Sequence, residues 1–178
     1  ALLAALDGQP LDELLDVGTG TGRMLELFAN RMRHGVGVDL NREMLAIARA
    51  RLDAGGHHHC QVRLGDMYGL GLADAKFDAV LFHQVLHFAD NPAQALAEGA
   101  RVLKPGGHML IVDFAPHDLE FLRTDHAHRR LGFSESDVAG WCEAAGLAST
   151  VCARLPGDAL TVLIWRASKS DEKERHSA

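Results

Sequence analysis

Apolar and polar positions alternate along this chain in two periods, which divides it into strands and helices. Leu14-Leu15-Asp16-Val17 is a short apolar run stopped by Gly18 and reads as a first strand; a helix is expected from about Gly22 to Arg31. Val36–Leu40 reads as a second strand. Asn41 is placed to cap a helix over Arg42–Asp53, with Met44, Leu45, Ala48 and Leu52 on one face and Gly55-Gly56 at its end. Cys60–Leu64 and Phe77–Phe82 follow as third and fourth strands. Pro92, behind Asn91, opens a helix to about Leu103. Lys104-Pro105-Gly106-Gly107 predicts a tight turn before a fifth strand, His108–Phe114. Ser134–Ala145 reads as a capped helix. Ala148–Leu155 and Leu160–Arg166 read as an antiparallel pair around Pro156-Gly157-Asp158, closing the sheet edge. Ala1–Leu6 reads as the end of a helix.

Strand–helix alternation of this kind predicts an α/β fold: a Rossmann-like, doubly wound, mostly parallel seven-stranded sheet with an antiparallel last strand. With 178 residues the chain is long enough for one domain, expected over residues 1–168, with a polar, disordered tail over 169–178. The chain does not begin with Met, so a longer parent protein is expected. No apolar run approaches the roughly 20 residues of a membrane span, and no secretory signal is apparent. Three widely spaced cysteines suggest neither a disulfide framework nor a zinc site, and a cytoplasmic location is the default. A net charge of −6 disfavours nucleic acid as a partner of this domain.

The most informative stretch is Asp16-Val17-Gly18-Thr19-Gly20-Thr21-Gly22. Glycines after a strand let the backbone turn sharply and approach a ligand closely, and a following helix points amides at that ligand. A dinucleotide fingerprint would be G-x-G-x-x-G, but Arg23 stands at its last position, which disfavours a nicotinamide oxidoreductase. Asp39 ends the second strand, where a carboxylate can accept two hydrogen bonds from ribose hydroxyls. His57-His58-His59 has the wrong spacing for a compact metal site, since neighbouring side chains of an extended backbone diverge, and no metal is expected.

This glycine loop with Asp16 and Asp39 resembles the first motifs of class I S-adenosylmethionine-dependent methyltransferases. Asp78-Ala79-Val80, Ala89-Asp90-Asn91-Pro92 and Arg101-Val102-Leu103-Lys104-Pro105-Gly106-Gly107 resemble the menaquinone and ubiquinone C-methyltransferase type; the likeness runs from about Leu11 to Asp113. His117–Phe133 is similar to methyltransferase domains fused behind an arsenic-repressor-like winged helix, which implies a DNA-binding domain upstream of these residues. The resemblance implies S-adenosylmethionine as cofactor, S-adenosylhomocysteine as product, and in-line methyl transfer to a small-molecule acceptor. The alternative it leaves is a catalytically silent domain that senses the same cofactor. Asp16, Gly18, Thr19, Gly20, Thr21 and Gly22 would hold the methionine end, Asp39 the ribose, and Asp66 the adenine amine. Leu40 and Met67 would sandwich the ring, with Met44, Gly65, His83 and Gln84 around the cofactor. His83, His87 and His117 follow strands four and five and are the candidate catalytic bases. His126–Arg130 reads as a solvated helix face. A second copy of the chain covering an exposed edge is a further expectation.

Overall fold

A computed structural model of the chain describes residues 1–9 and 11–171. The element order is α1 (Leu2–Ala5), β1 (Glu13–Val17), α2 (Arg23–Phe28), β2 (His34–Asp39), α3 (Arg42–Ala54), β3 (Cys60–Leu64), β4 (Phe77–His83), α4 (Pro92–Val102), β5 (Leu103–Phe114), α5 (Phe121–Asp125), α6 (Glu135–Ala144), β6 (Leu147–Pro156) and β7 (Thr161–Lys169). The strands form one seven-stranded sheet in the order β3-β2-β1-β4-β5-β7-β6. Pairing is parallel from β3 through β5, and β7 runs antiparallel to both of its neighbours.

The period-two alternation of the strands sorts their side chains onto two faces. Leu15, Val17, Val80, Phe82, Met109 and Ile111 face one way and pack with Leu96 of α4 and Val138 of α6. Leu14, Ala79, Leu81 and Leu110 face the other way, against Leu25 and Phe28 of α2 and Leu52 of α3. Burying each of these leucines, isoleucines or phenylalanines contributes about 1.5–3 kcal/mol, so the double cover is what makes the central strands apolar on both sides. Capping follows the sequence: Asn41 accepts from the amides of Glu43 and Met44, Asn91 from Gln94, and Ser134 from Asp137.

The structure departs from the sequence reading in three places. Lys104–Gly107 is not a turn ahead of β5 but an irregularity inside it: Phe77 pairs with Leu103 and Ala79 with His108, and Gly106 adopts a φ of +74° to absorb the extra chain. The last hairpin closes the sheet edge as expected, with β7 lying between β5 and β6 and β6 outermost. Residues 126–130 are not helical, because α5 stops at Asp125 and His128 turns inward. β7 extends to Lys169, beyond the expected end at Arg166 and into the tail expected over 169–178, of which residues 172–178 lie outside the described residues.

The strand order reverses between β1 and β4. Chain leaving the carboxyl ends of these neighbours departs to opposite sides and opens a crevice. No helix among the described residues is long and apolar enough to cross a membrane.

Candidate functional site

The glycine loop joins β1 to α2 at this crevice. Gly18 has a φ of +72°, and a Cβ there would lie 2.2 Å from Cγ2 of Val85, so only glycine lets the loop pass the turn after β4. Most of its amides are bonded within the protein. Gly18 and Thr19 both donate to the carbonyl of Val38, at 2.8 and 3.0 Å, and Gly22 donates to Thr19 at 2.9 Å. The Thr21 hydroxyl accepts from Arg51 at 3.1 Å. Beneath the loop, buried Asp16 accepts from the Thr19 hydroxyl at 2.7 Å. Burial pushes the Asp16 carboxyl up to about 7; the Thr19 hydrogen bond opposes this, and the charge of Asp39 adds to it.

Asp39 links the loop to the second strand. One carboxylate oxygen accepts from the Gly20 amide at 2.8 Å and the other from the Asn41 amide at 2.8 Å. A carboxylate has about four lone-pair positions, so each oxygen keeps room for a ligand hydroxyl. Above it lies a cavity of about 480 Å³, within the usual range for small-ligand sites. Gly18, Gly20 and Asp39 form its floor, and Leu40, Met44, Gly65 and Met67 form one wall. A Cβ placed on Gly20 would meet nothing within 4 Å, so the loop faces open space here. An adenosine-like group fits this donor and acceptor set: apolar faces for a ring, and an anchored carboxylate for vicinal hydroxyls.

Sequence reasoning missed Val17, Val38, Asn41, Val85 and Phe88, which also line the cavity. The signal for them was position: each lies at or just after the carboxyl end of β1, β2 or β4, where ligands sit in such sheets. Other expected residues stand back from the cavity. Asp16, Thr19, Thr21 and Gly22 shape the loop from behind. Asp66 is exposed and accepts from the Tyr68 amide at 3.0 Å.

His83 ends β4 on a different cavity, of about 500 Å³, which it shares with Leu2, Leu3, Leu27, Val112, Leu155 and Ile164. Gln84 lines both cavities. Its amide continues the ladder, donating to Val112 at 2.7 Å, while its φ is +51°. That conformation costs a non-glycine residue on the order of 1–2 kcal/mol, and it carries the chain from one cavity to the other. Burial holds the His83 imidazole below its ordinary pKa, with the Asp113 carboxylate pulling the opposite way.

His87 and His117, the other candidate bases, line neither cavity. They belong to a cluster that joins the turn after β4 to residues 113–128. The His87 ring stacks on His128 at 4.0 Å between centroids, and His117 meets Phe114 edge-on at 6.0 Å. His117 accepts from the Leu119 amide through Nδ1 at 3.3 Å. The structure therefore separates His83 from His87 and His117.

A family model described as a methyltransferase domain matches residues 15–111, from β1 through most of β5. A 37.1 kDa protein of transposon TN4556 from Streptomyces fradiae is 37% identical over 113 residues, covering 62% of this chain and 32% of that protein. A demethylmenaquinone methyltransferase of Tropheryma whipplei is 36% identical over 104 residues, covering 58% of this chain and 42% of the relative. The chain thus spans well under half the length of these curated relatives. Among solved structures, YcgJ of Bacillus subtilis superposes with a TM-score of 0.85 over 96% of this chain and 97% of its own, at 20% identity, a likeness of fold. With the glycine loop, Asp39 and the sheet order in place, the chain belongs to the methyltransferase-domain family of class I S-adenosylmethionine-dependent enzymes.

Proposed function

We propose that this chain binds S-adenosylmethionine in the cavity over Asp39 and methylates a small-molecule acceptor held in the neighbouring cavity. The observation that carries this reading is Gln84, whose residue lines both spaces, so that ligands in the two can meet at the end of β4. When bound, S-adenosylmethionine supplies an electrophilic methyl group on a sulfonium sulfur.

The protein's own residues would act by placement. Asp39 takes ribose hydroxyls on its remaining lone pairs, Leu40 and Met67 cover the adenine faces, and Asp66 turns to its amine. Asp16 acts through Thr19 by fixing the loop. Val17, Val38, Val85 and Phe88 keep water from the reacting region, and positioning of this kind lowers barriers by up to about 7–11 kcal/mol. His83 receives the acceptor's proton on its imidazole where the acceptor is a hydroxyl. Its burial supports that role, because an imidazole held below its ordinary pKa is neutral, and so able to accept a proton, at pH 7.

Calorimetric titration with S-adenosylmethionine, with NADH as control, is the test. Saturable binding of the sulfonium compound alone is expected; binding of NADH alone, or of neither, overturns the proposal. Turnover then separates an enzyme from a silent sensor.

A further inference from the structure

The acceptor's chemistry is written in the walls of the second cavity. Apart from His83 and Gln84, the side chains that line it are apolar: Ala1, Leu2 and Leu3 at the start of the chain, Leu27 of α2, and Val112, Leu155, Val162 and Ile164 from the sheet. Among the described residues, no Asp, Glu, Lys or Arg side chain lines it. A carboxylate, phosphate or ammonium placed there would lose hydration without gaining a counter-charge from these side chains, and an unpaired buried charge is strongly unfavourable. Two of the wall residues are large apolar side chains left open to solvent, Leu27 at 43% and Leu155 at 44%. They stand on α2 and β6, so apolar surface flanks the cavity on two elements remote in sequence. Exposed apolar surface gathered around a concavity marks a site that an apolar ligand covers. The polar groups, by contrast, are confined to one end. The His83 ring and the Gln84 amide can each donate and accept, which suits a hydroxyl or carbonyl and offers no fixed charge.

We propose that this cavity selects an uncharged, largely apolar acceptor of ring or short-chain type, with its single polar reacting group presented to His83 and Gln84. This rests on the methyltransferase reading above. It goes further in excluding amino acids, nucleotides and other ionised metabolites as acceptors.

The test is direct binding to the full chain saturated with S-adenosylhomocysteine at pH 7, followed by calorimetry. Three probes share one biphenyl frame: 4-phenylphenol, neutral; 4-phenylbenzoate, anionic; and 4-phenylbenzylammonium, cationic. The neutral probe is expected to bind at least about tenfold more tightly than either ion, a difference of about 1.4 kcal/mol. Leu27→Lys places an ammonium at the cavity on a residue that is partly exposed already. It should weaken the phenol and strengthen the benzoate about fivefold or more, with S-adenosylhomocysteine affinity unchanged, because Leu27 does not line the cofactor cavity. Leu155→Lys is an independent second variant with the same expected reversal. Equal or tighter binding of an ion by the wild-type chain, or no probe binding to a chain that holds S-adenosylhomocysteine, overturns the inference alone. Failure of S-adenosylhomocysteine itself to bind overturns the methyltransferase reading together with it.

Discussion

Nδ1 of His87 lies 2.8 Å from a carboxylate oxygen of Asp113, and both side chains are sealed from solvent, at 4% and 0% exposure. The same carboxylate accepts from the Phe114 amide at 2.9 Å and, through its other oxygen, from the His87 amide at 3.3 Å. The His87 carbonyl in turn accepts from the amides of Arg129 and Arg130. One residue thus holds the turn after β4, which carries Phe88 to the cavity over Asp39, and the connection between β5 and α6. Replacing Asp113 by Asn keeps the shape but weakens a buried, charge-bearing network. A loss of about 2–4 kcal/mol is expected, visible as a fall of roughly 5–15 °C in melting temperature. An unchanged melting temperature would show that the pair does not anchor this region.

The neighbouring histidines predict an acid response. Burial lowers the pKa of His117 and His128 below the ordinary 6.5; nearby His87 lowers both further, while Asp113 raises both, and Asp118 and Glu120 raise His117. Nε2 of His117 and Nδ1 of His128 are buried and find no hydrogen-bond partner among the described residues. The fold therefore prefers the neutral rings, and their contribution is present above pH 6.5 and lost as pH falls through the depressed values. Amide exchange of residues 117–131 should accelerate on acidification from pH 7.5 to 5, ahead of the strands. Uniform exchange across both regions would count against a local effect.

Asp39→Ala removes the acceptor for the Gly20 and Asn41 amides and, on the proposed reading, for the ribose hydroxyls. Charge-assisted hydrogen bonds contribute on the order of 1.5–3 kcal/mol each. Affinity for S-adenosylmethionine should fall at least about tenfold in calorimetry, with less loss in Asp39→Asn, which keeps one acceptor oxygen. Wild-type affinity in the alanine variant would remove Asp39 from the site.

Gly18→Ala puts a methyl group into Val85 and a side chain at a φ of +72°. A destabilisation of about 2–4 kcal/mol is expected by denaturant titration. Adding Val85→Ala should restore only part of it, because the steric conflict is relieved and the backbone strain is not. Full restoration would mean that contact alone, and not φ, demands glycine here.

Thr19→Val deletes the hydroxyl that opposes the burial of Asp16. The Asp16 carboxyl, pushed up to about 7 by burial, should then titrate higher still when followed by carbon-13 NMR. The sign carries to stability. A carboxyl raised in the fold stabilises most below its unfolded pKa, and that contribution is lost as pH rises through 7. A titration midpoint that moves down in the variant would contradict this account.

Much of the site could be read before the fold was known, because its signals are local. The spacing of Gly18, Gly20 and Gly22 after an apolar strand, and an acid at the end of the next strand, placed Asp39 beside the loop. The structure adds that this carboxylate also bonds the Gly20 amide. Reasoning along the chain was weaker for histidines. His83, His87 and His117 share a chemistry and follow strand ends, yet one lines a cavity and two are packed into a cluster, a difference set for His87 by Asp113, 26 positions away.

The sequence by itself determined the strands, the helices with their caps, the glycine loop and the family. Each depends on side-chain period, on φ preferences or on hydrogen bonds within a few residues. Only the tertiary structure decided that β7 enters between β5 and β6, that Gln84 bridges two cavities, and that an apolar chamber forms where α1, α2, β4, β5, β6 and β7 meet. These arise from close packing of elements distant in sequence, where shape and burial select one arrangement among many with the same local pattern.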